Sequence, residues 1–411
     1  MKKCIHRIMF LMLIIVILLM SRKVEAATIK HSGTSGSLEW SIDSDGVFRL
    51  SGSGDYAAEN EDGETETAWE RYSSEIYRAV INVTNITSFD RLFKDCENLQ
   101  SIDWSNTNTS KLTSMEDMFE DCNEMVEIDL SDLDTSNVKS MHGTFSSCRE
   151  LQKVTGLNTK SVEDMSYMFR YCQCLADVNL SQWDTSKVIN MSNMFSDCYK
   201  LTVKNIDRWD TSSVTDMSQM FSQCYALTDI DISQWDTSNV INMGGMFENE
   251  GNGYTLNHLK SIKLNGIDTS NVTDMQLMFA GCSKLTTLEI DELDTSSVTN
   301  MASMFEGCGA LTNLNLNKWN TSRVTQMMQM FRGCYGLEKL DINQWDTSKV
   351  TDMWCMFNRC SSLTEIDMSN FRTKQLESIA GMFYFCTSLK KIDLSKFNLS
   401  NIKEESGIFY D

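Results

Sequence analysis

The residue types in this chain that could carry chemistry recur at fixed spacing. Cysteine stands three residues after a phenylalanine at Cys96, Cys122, Cys148, Cys172, Cys198, Cys224, Cys282, Cys308, Cys334, Cys360 and Cys386. Thiols arranged so admit disulfides, a metal site, or a column of small apolar side chains. No Cys-x-x-Cys pair or nearby histidine group supports a metal, and one equivalent thiol per repeat favours the packing column, with scattered disulfides as the alternative. Tryptophan precedes Asp-Thr-Ser at Trp183, Trp209, Trp235 and Trp345 and Asn-Thr-Ser at Trp319, and a row of flat rings would stack on sugars. The same position holds Leu133, Ile267, Leu293, Phe371 and Phe397, so it asks only for apolar bulk. The aspartates of that motif, Asp134, Asp184, Asp210, Asp236, Asp268, Asp294 and Asp346, suggest calcium, which needs several oxygens converging on one point. Asn158 and Asn320 replace them, keeping a carbonyl and losing the charge, so the column is a hydrogen-bond acceptor for a turn. Outside the first residues only His31, His142 and His258 are present, far apart, and give a nucleophile no paired base. The expectation is no enzyme, no metal and no cofactor.

These residues are positioned by a period. Measured on Phe93, Phe119, Phe145, Phe169, Phe195, Phe221, Phe247, Phe279, Phe305, Phe331, Phe357, Phe383 and Phe409, the step is 26 residues, except 24 before Phe169 and 32 before Phe279. In the repeat from Leu227, Leu227, Ile230 and Ile232 alternate with polar residues as in a half-buried strand. Asp236 then opens a turn, and Val240, Met243, Met246 and Phe247 follow at spacings that suit a short helical or 3-10 arc. No coil can bury its apolar side alone, so coils must stack. With strands about 4.8 Å apart, some thirteen coils extend roughly 60 Å. Phe195, Phe221, Phe247, Phe305 and Phe331, with Cys198, Cys224, Cys308 and Cys334 and with Trp209 and Trp235, are expected to form the structural columns. The total absence of proline fits a backbone whose N–H groups nearly all join ladders.

Repeats of the form L-x-x-I-D-I-S-x-W-D-T-S-x-V-x-x-M-x-x-M-F-x-x-C resemble the BspA-like leucine-rich-repeat surface proteins of bacteria. The resemblance covers about residues 76–411, and Gly33 to Tyr56, "GTSGSLEWSIDSDGVFRLSGSGDY", is similar to the small β-capping segment that precedes such arrays. It implies a repeat solenoid of the leucine-rich-repeat type, a secreted or cell-surface location and adhesion without catalysis. The domain reading is therefore a signal peptide at 1–26, an N-terminal β cap and acidic linker at 27–75, and the solenoid at 76–411 with an insertion at about 248–258. Two other readings stay open: a polysaccharide-active parallel β-helix enzyme, which has coils of similar length, and a purely structural surface-layer component. The enzyme would need carboxylates clustered with Lys or Arg on adjacent coils.

A net charge of −21 repels nucleic acid and anionic membrane. The expected partner is instead an extracellular protein or glycan, met where coils differ from one another. Outward strand positions differ: one column runs from Glu127 through Val203 and Asp229 to Lys391, and its neighbour includes Asp231, Glu289, Asp341, Asp367 and Asp393. The insertion Glu248–His258 adds Asn249, Asn252 and Tyr254. Such a loop is either a recognition element or a neutral elongation.

Lys2, Lys3 and Arg7, the apolar run Ile8–Met20 and the small residues Val24 and Ala26 make up a Sec-type leader, with no integral membrane segment expected once it is removed. Mass spectrometry of secreted or surface-bound protein should find Ala27 at the N-terminus; a membrane-held chain beginning at Met1 would contradict this.

Overall fold

In each coil the segment around the repeated phenylalanine, Met-x-x-Met-Phe-x-x-Cys where the repeat is regular, sends its backbone N–H groups alternately in two directions. Met191, Asn193, Phe195 and Asp197 donate to the carbonyls of Asp216, Ser218, Met220 and Ser222 in the next coil, at 2.8–3.0 Å. Between them, Met194, Ser196 and Cys198 donate three residues back within their own coil, at 3.1–3.3 Å. The expected arc is thus present, with bonds of the 3-10 kind, but it does not run on as a helix. The residues two before and two after the phenylalanine are left-handed, as at Asn193 (φ 56°) and Asp197 (φ 63°), Gln219 and Gln223, and Cys355 and Arg359. That reversal turns every second N–H outward to the neighbouring coil. The computed structural model describes residues 27–57, 66–176, 178, 180–249 and 257–409, so the leader at 1–26, Asn252 and Tyr254 lie outside the described residues.

A second pairing line lies five residues before each phenylalanine. Parallel bridges connect Ser88, Ser114, Ser140, Asp164, Asn190, Asp216, Asn242, Asp274, Asn300, Gln326, Asp352, Ser378 and Glu404 without a break. Strands proper are short. β1 (Ile29–Ser35), β2 (Leu38–Asp43) and β3 (Val47–Ser53) form antiparallel hairpins. β4 (Arg78–Thr84) pairs in parallel with β3, and β5 (Ser101–Asp103) with β4. One strand per coil continues as β6 (Glu127–Asp129), β7 (Lys153–Thr155), β8 (Asp229–Asp231), β9 (Ser261–Lys263), β10 (Thr287–Glu289), β11 (Asn313–Leu314), β12 (Lys339–Leu340) and β13 (Glu365–Ile366). The whole is a repeat solenoid of the leucine-rich-repeat type.

In the coil after Phe195 the inward strand position, Ile230 in a regular coil, is Lys204. Its ammonium cannot be buried unpaired, so Lys204 is exposed, Asn205 turns left-handed (φ 61°) and a 3-10 turn, Ile206–Arg208, replaces the strand. Val203 consequently packs against the core, which corrects its placement among the outward residues. The coil two residues short is closed by Gly156 (φ 85°), where a Cβ would lie 2.1 Å from the Ser131 nitrogen, so no other residue fits.

The core is a stack of thirteen phenylalanine rings from Phe93 to Phe409, with neighbouring centroids 5.4–6.1 Å apart and planes within 15°. The separations exceed the strand spacing, as offset stacking requires. Neither irregular step disturbs it: Phe145 and Phe169 are 5.4 Å apart, Phe247 and Phe279 6.1 Å. At its N-terminal end Phe48 meets Phe93 edge-on, and Trp69 lies behind Phe48 and donates its indole N–H to the Leu92 carbonyl at 2.9 Å.

Replacing Phe221 or Phe305 by Ala empties a fully enclosed site and should cost about 3–5 kcal/mol. Because repeat arrays couple mainly to nearest neighbours, amide exchange should accelerate first in the two flanking coils; unchanged protection there would contradict the stack as the stabilising spine.

Candidate binding surface

Most side chains with chemistry in them are occupied by the scaffold. From Cys122 onward each Cys column thiol donates to the phenylalanine carbonyl of the preceding coil: Cys198 Sγ to Phe169 O at 3.0 Å, Cys224 to Phe195 at 3.1 Å, Cys308 to Phe279 and Cys334 to Phe305, both at 3.1 Å. All four are buried and free, and burial pushes the Cys334 thiol up to about 12. A thiol held neutral and out of water is a poor nucleophile. Trp209 and Trp235 are buried and stacked at 6.1 Å, and Trp235 Nε1 donates to the Ile206 carbonyl at 2.8 Å, so neither offers a face to a sugar.

The Asp-Thr-Ser motif divides its work between two residues. Asp236 Oδ1 accepts the Ser238 N–H at 3.0 Å, and Asn320 and Asn398 accept from Ser322 and Ser400 in the same way, at 3.1 and 3.0 Å. The Ser238 hydroxyl and N–H hold the Asp236 carboxyl below its ordinary range. The threonine, which the reading of the sequence passed over, makes the contact between coils. Thr237 Oγ1 donates to the Asp268 carbonyl at 2.7 Å, Thr185 to Asp210 and Thr211 to Asp236 at 2.9 Å, all from buried positions. Some of these hydroxyls also accept from the same neighbour: the Asp184 N–H reaches Thr159 Oγ1 at 2.9 Å. The signal was available, because threonine persists from Thr109 to Thr373 while the aspartate beside it gives way to asparagine at 108, 158 and 320 and to Arg372.

The outward strand face is what the scaffold leaves over. Asp231, Glu289, Asp341, Asp367 and Asp393 are all exposed. Asp231 and Glu289 flank Lys263 across β8, β9 and β10, and Lys263 Nζ lies 3.1 Å from Asp231 Oδ2. Asp341, Asp367 and Asp393 line one shallow hollow of about 480 Å³ together with Lys339, Glu365 and Lys391. The aspartates have a structural share too: Asp231 Oδ1 accepts the Ser233 N–H at 3.1 Å, Asp367 that of Ser369 and Asp393 that of Ser395 at 2.9 Å. Those bonds hold the carboxyls of Asp231, Asp367 and Asp393 below the usual range, so each carries a full charge at neutral pH. Exposed pairs such as Lys263–Asp231 and Lys339–Glu365 (3.5 Å) contribute at most about 1 kcal/mol and exchange partners readily.

Asn249 needs a correction. It is 4% exposed, its N–H bonds to the Ala280 carbonyl at 2.7 Å and its amide to Phe247 O at 2.8 Å. It occupies the ladder position two after the phenylalanine, so it anchors the insertion and does not face a partner. Asn257, also buried, holds the other end through Gly281 O at 3.0 Å. Among the described residues no helix is long and apolar enough to cross a membrane.

A family model described as "Mycoplasma protein of unknown function, DUF285" matches residues 69–179, 172–258, 253–340 and 309–411. A leucine-rich repeat protein from Eubacterium ventriosum is similar at 17% identity over 84% of this chain and 97% of that one, with a TM-score of 0.45. One from Bacteroides ovatus matches at 17% over 94% and 99%, with a TM-score of 0.44. A leucine rich cell surface protein from Faecalibacterium prausnitzii matches at 16% over 82% and 99%, with a TM-score of 0.36. No curated protein matches the chain.

Asp236→Asn keeps the acceptor and should change stability by well under 1 kcal/mol, while Thr237→Val strands the Asp268 carbonyl and should cost about 1–3 kcal/mol. The Asp236 carboxyl, held low in the folded state, contributes stability above its unfolded pKa that fades as pH falls through the folded value. The Asn variant should therefore show a slightly shallower acid limb in thermal unfolding. Equal losses in the Asn and Val variants would show that charge, and not the coil-to-coil hydroxyl, matters.

Proposed function

The chain belongs to the family described as Mycoplasma protein of unknown function, DUF285, and on that premise we propose a BspA-like, non-catalytic binding protein, exported and displayed or released outside the cell. Its outward strand face meets an extracellular protein or glycan. The supporting observation is the contrast between columns. Threonine, cysteine and phenylalanine repeat coil after coil because each is bonded or packed to the neighbouring coil, whereas the strand face changes from Asp231 to Lys263 to Glu289 within three adjacent strands. Identity from coil to coil serves stacking; individuality on a rigid support serves recognition. The strongest part of that face is the hollow of Asp341, Asp367 and Asp393, three carboxylates on consecutive coils. It fits a partner that brings cationic groups at the coil spacing, such as a basic strand or a basic loop of an extracellular protein. The Sec-type leader and the acidic charge balance support the same reading.

Screening the purified protein against extracellular matrix proteins and glycans should give a ligand whose affinity falls with added salt. Changing Asp341, Asp367 and Asp393 together to Asn preserves the turns they cap and removes three charges. Binding should weaken at least about tenfold at low salt, the equivalent of about 1.4 kcal/mol, with thermal stability nearly unchanged. A ligand indifferent to the triple variant would place recognition elsewhere.

A further inference from the structure

A second hollow lies away from the strand face, in the segments that follow Phe279, Phe305, Phe331 and Phe357. It encloses about 350 Å³ and crosses four successive coils. Its floor is backbone: Gly307 (φ 70°) and Gly333 (φ 72°) occupy the left-handed position two after the phenylalanine. In other coils that position carries a side chain, as at Asp121, Tyr171, Asp197 and Gln223. Gly309 continues the floor, and Tyr335 is the wall, its ring so close that a Cβ on Gly309 would lie 3.1 Å from Cδ2. The ring is nonetheless 47% exposed.

The charges are the reverse of the chain's. In a protein of net charge −21, Lys284, Arg332 and Arg359 line this hollow against one acid, Glu306. Glu306 is buried and ion-paired with Arg332, which leaves Lys284 and Arg359 as the uncompensated cations of the lining. The guanidinium of Arg359 rests over the Phe385 ring at 5.7 Å, which limits its freedom before any ligand arrives. A half-exposed aromatic wall takes the C–H face of a sugar ring. A planar guanidinium suits a carboxylate. The volume lies at the lower end of small-ligand sites, enough for one or two pyranose rings.

We propose that this hollow binds a carboxylate-bearing sugar, the acidic residue of an anionic glycan, with its ring against Tyr335 and its carboxylate toward Arg359 and Lys284. The site goes beyond the strand-face reading and is separate from it: neither Asp341, Asp367 nor Asp393 touches it. Calorimetric titration of the purified protein with 3′-sialyllactose, with a galacturonate trimer and with neutral lactose tests the proposal, and the first two arms tell a sialic from a uronic source. At least one acidic sugar should bind about tenfold or more tighter than lactose, and more weakly at higher salt. Arg359→Gln and Tyr335→Ala should each weaken it about tenfold, and Gly309→Leu, which fills the floor, should abolish it. The Asn variant of Asp341, Asp367 and Asp393 should leave it unaltered, so that failure here and failure of the strand face are told apart. Thermal unfolding of each variant establishes that it is folded. Binding of neither acidic sugar, equal binding of lactose, equal displacement by an acidic hexapeptide, or retention in both Arg359→Gln and Gly309→Leu would overturn the assignment.

Discussion

Everything in this solenoid depends on where the backbone N–H groups around each phenylalanine point. Four of them per coil cross to the next coil, and in the regular coils the residues two before and two after the ring are left-handed to aim them there. For residues other than glycine that conformation costs roughly 1–2 kcal/mol each. A cross-coil bond nets only about 1 kcal/mol, but a buried N–H left without an acceptor would cost about 1–3 kcal/mol. Four satisfied donors therefore outweigh two strained residues. The same geometry sets successive rings in register, so hydrogen-bond ladder and aromatic stack are two consequences of one constraint.

Stacking also explains why so many side chains of reactive type are taken up by the scaffold. A column of identical residues is useful to a solenoid when each copy can bond to the next one. Cysteine does so through the phenylalanine carbonyl, threonine through the carbonyl of the aspartate one coil on, and Trp235 through the Ile206 carbonyl. Repetition makes these groups structural. Chemistry directed outward has to come from positions where neighbouring coils differ, which are the strand face and the glycine-floored hollow beside Tyr335. The first is acidic and open, the second cationic and partly enclosed, so one scaffold offers two surfaces of opposite sign.

The sequence by itself determined the period, the columns that face inward and the role of the Asp-Thr-Ser turn. Those are local: Val240, Met243, Met246 and Phe247 declare an apolar side by their spacing, and Asn320 in place of aspartate shows that the turn wants an acceptor and not a charge. Only the tertiary structure decided the left-handed pairs, because Tyr167, Leu277 and Cys355 adopt positive φ with no glycine to announce it. It also decided that Lys204 leaves the core while Val203 enters, that Asn249 anchors the insertion, and that the Tyr335 ring rests beside Gly309 in the lining of one hollow. The reason is common to all of them. Residues 26 apart become contacts only once coils stack, so the conformation or exposure of any one is chosen by groups a full turn away, and no window along the chain contains both.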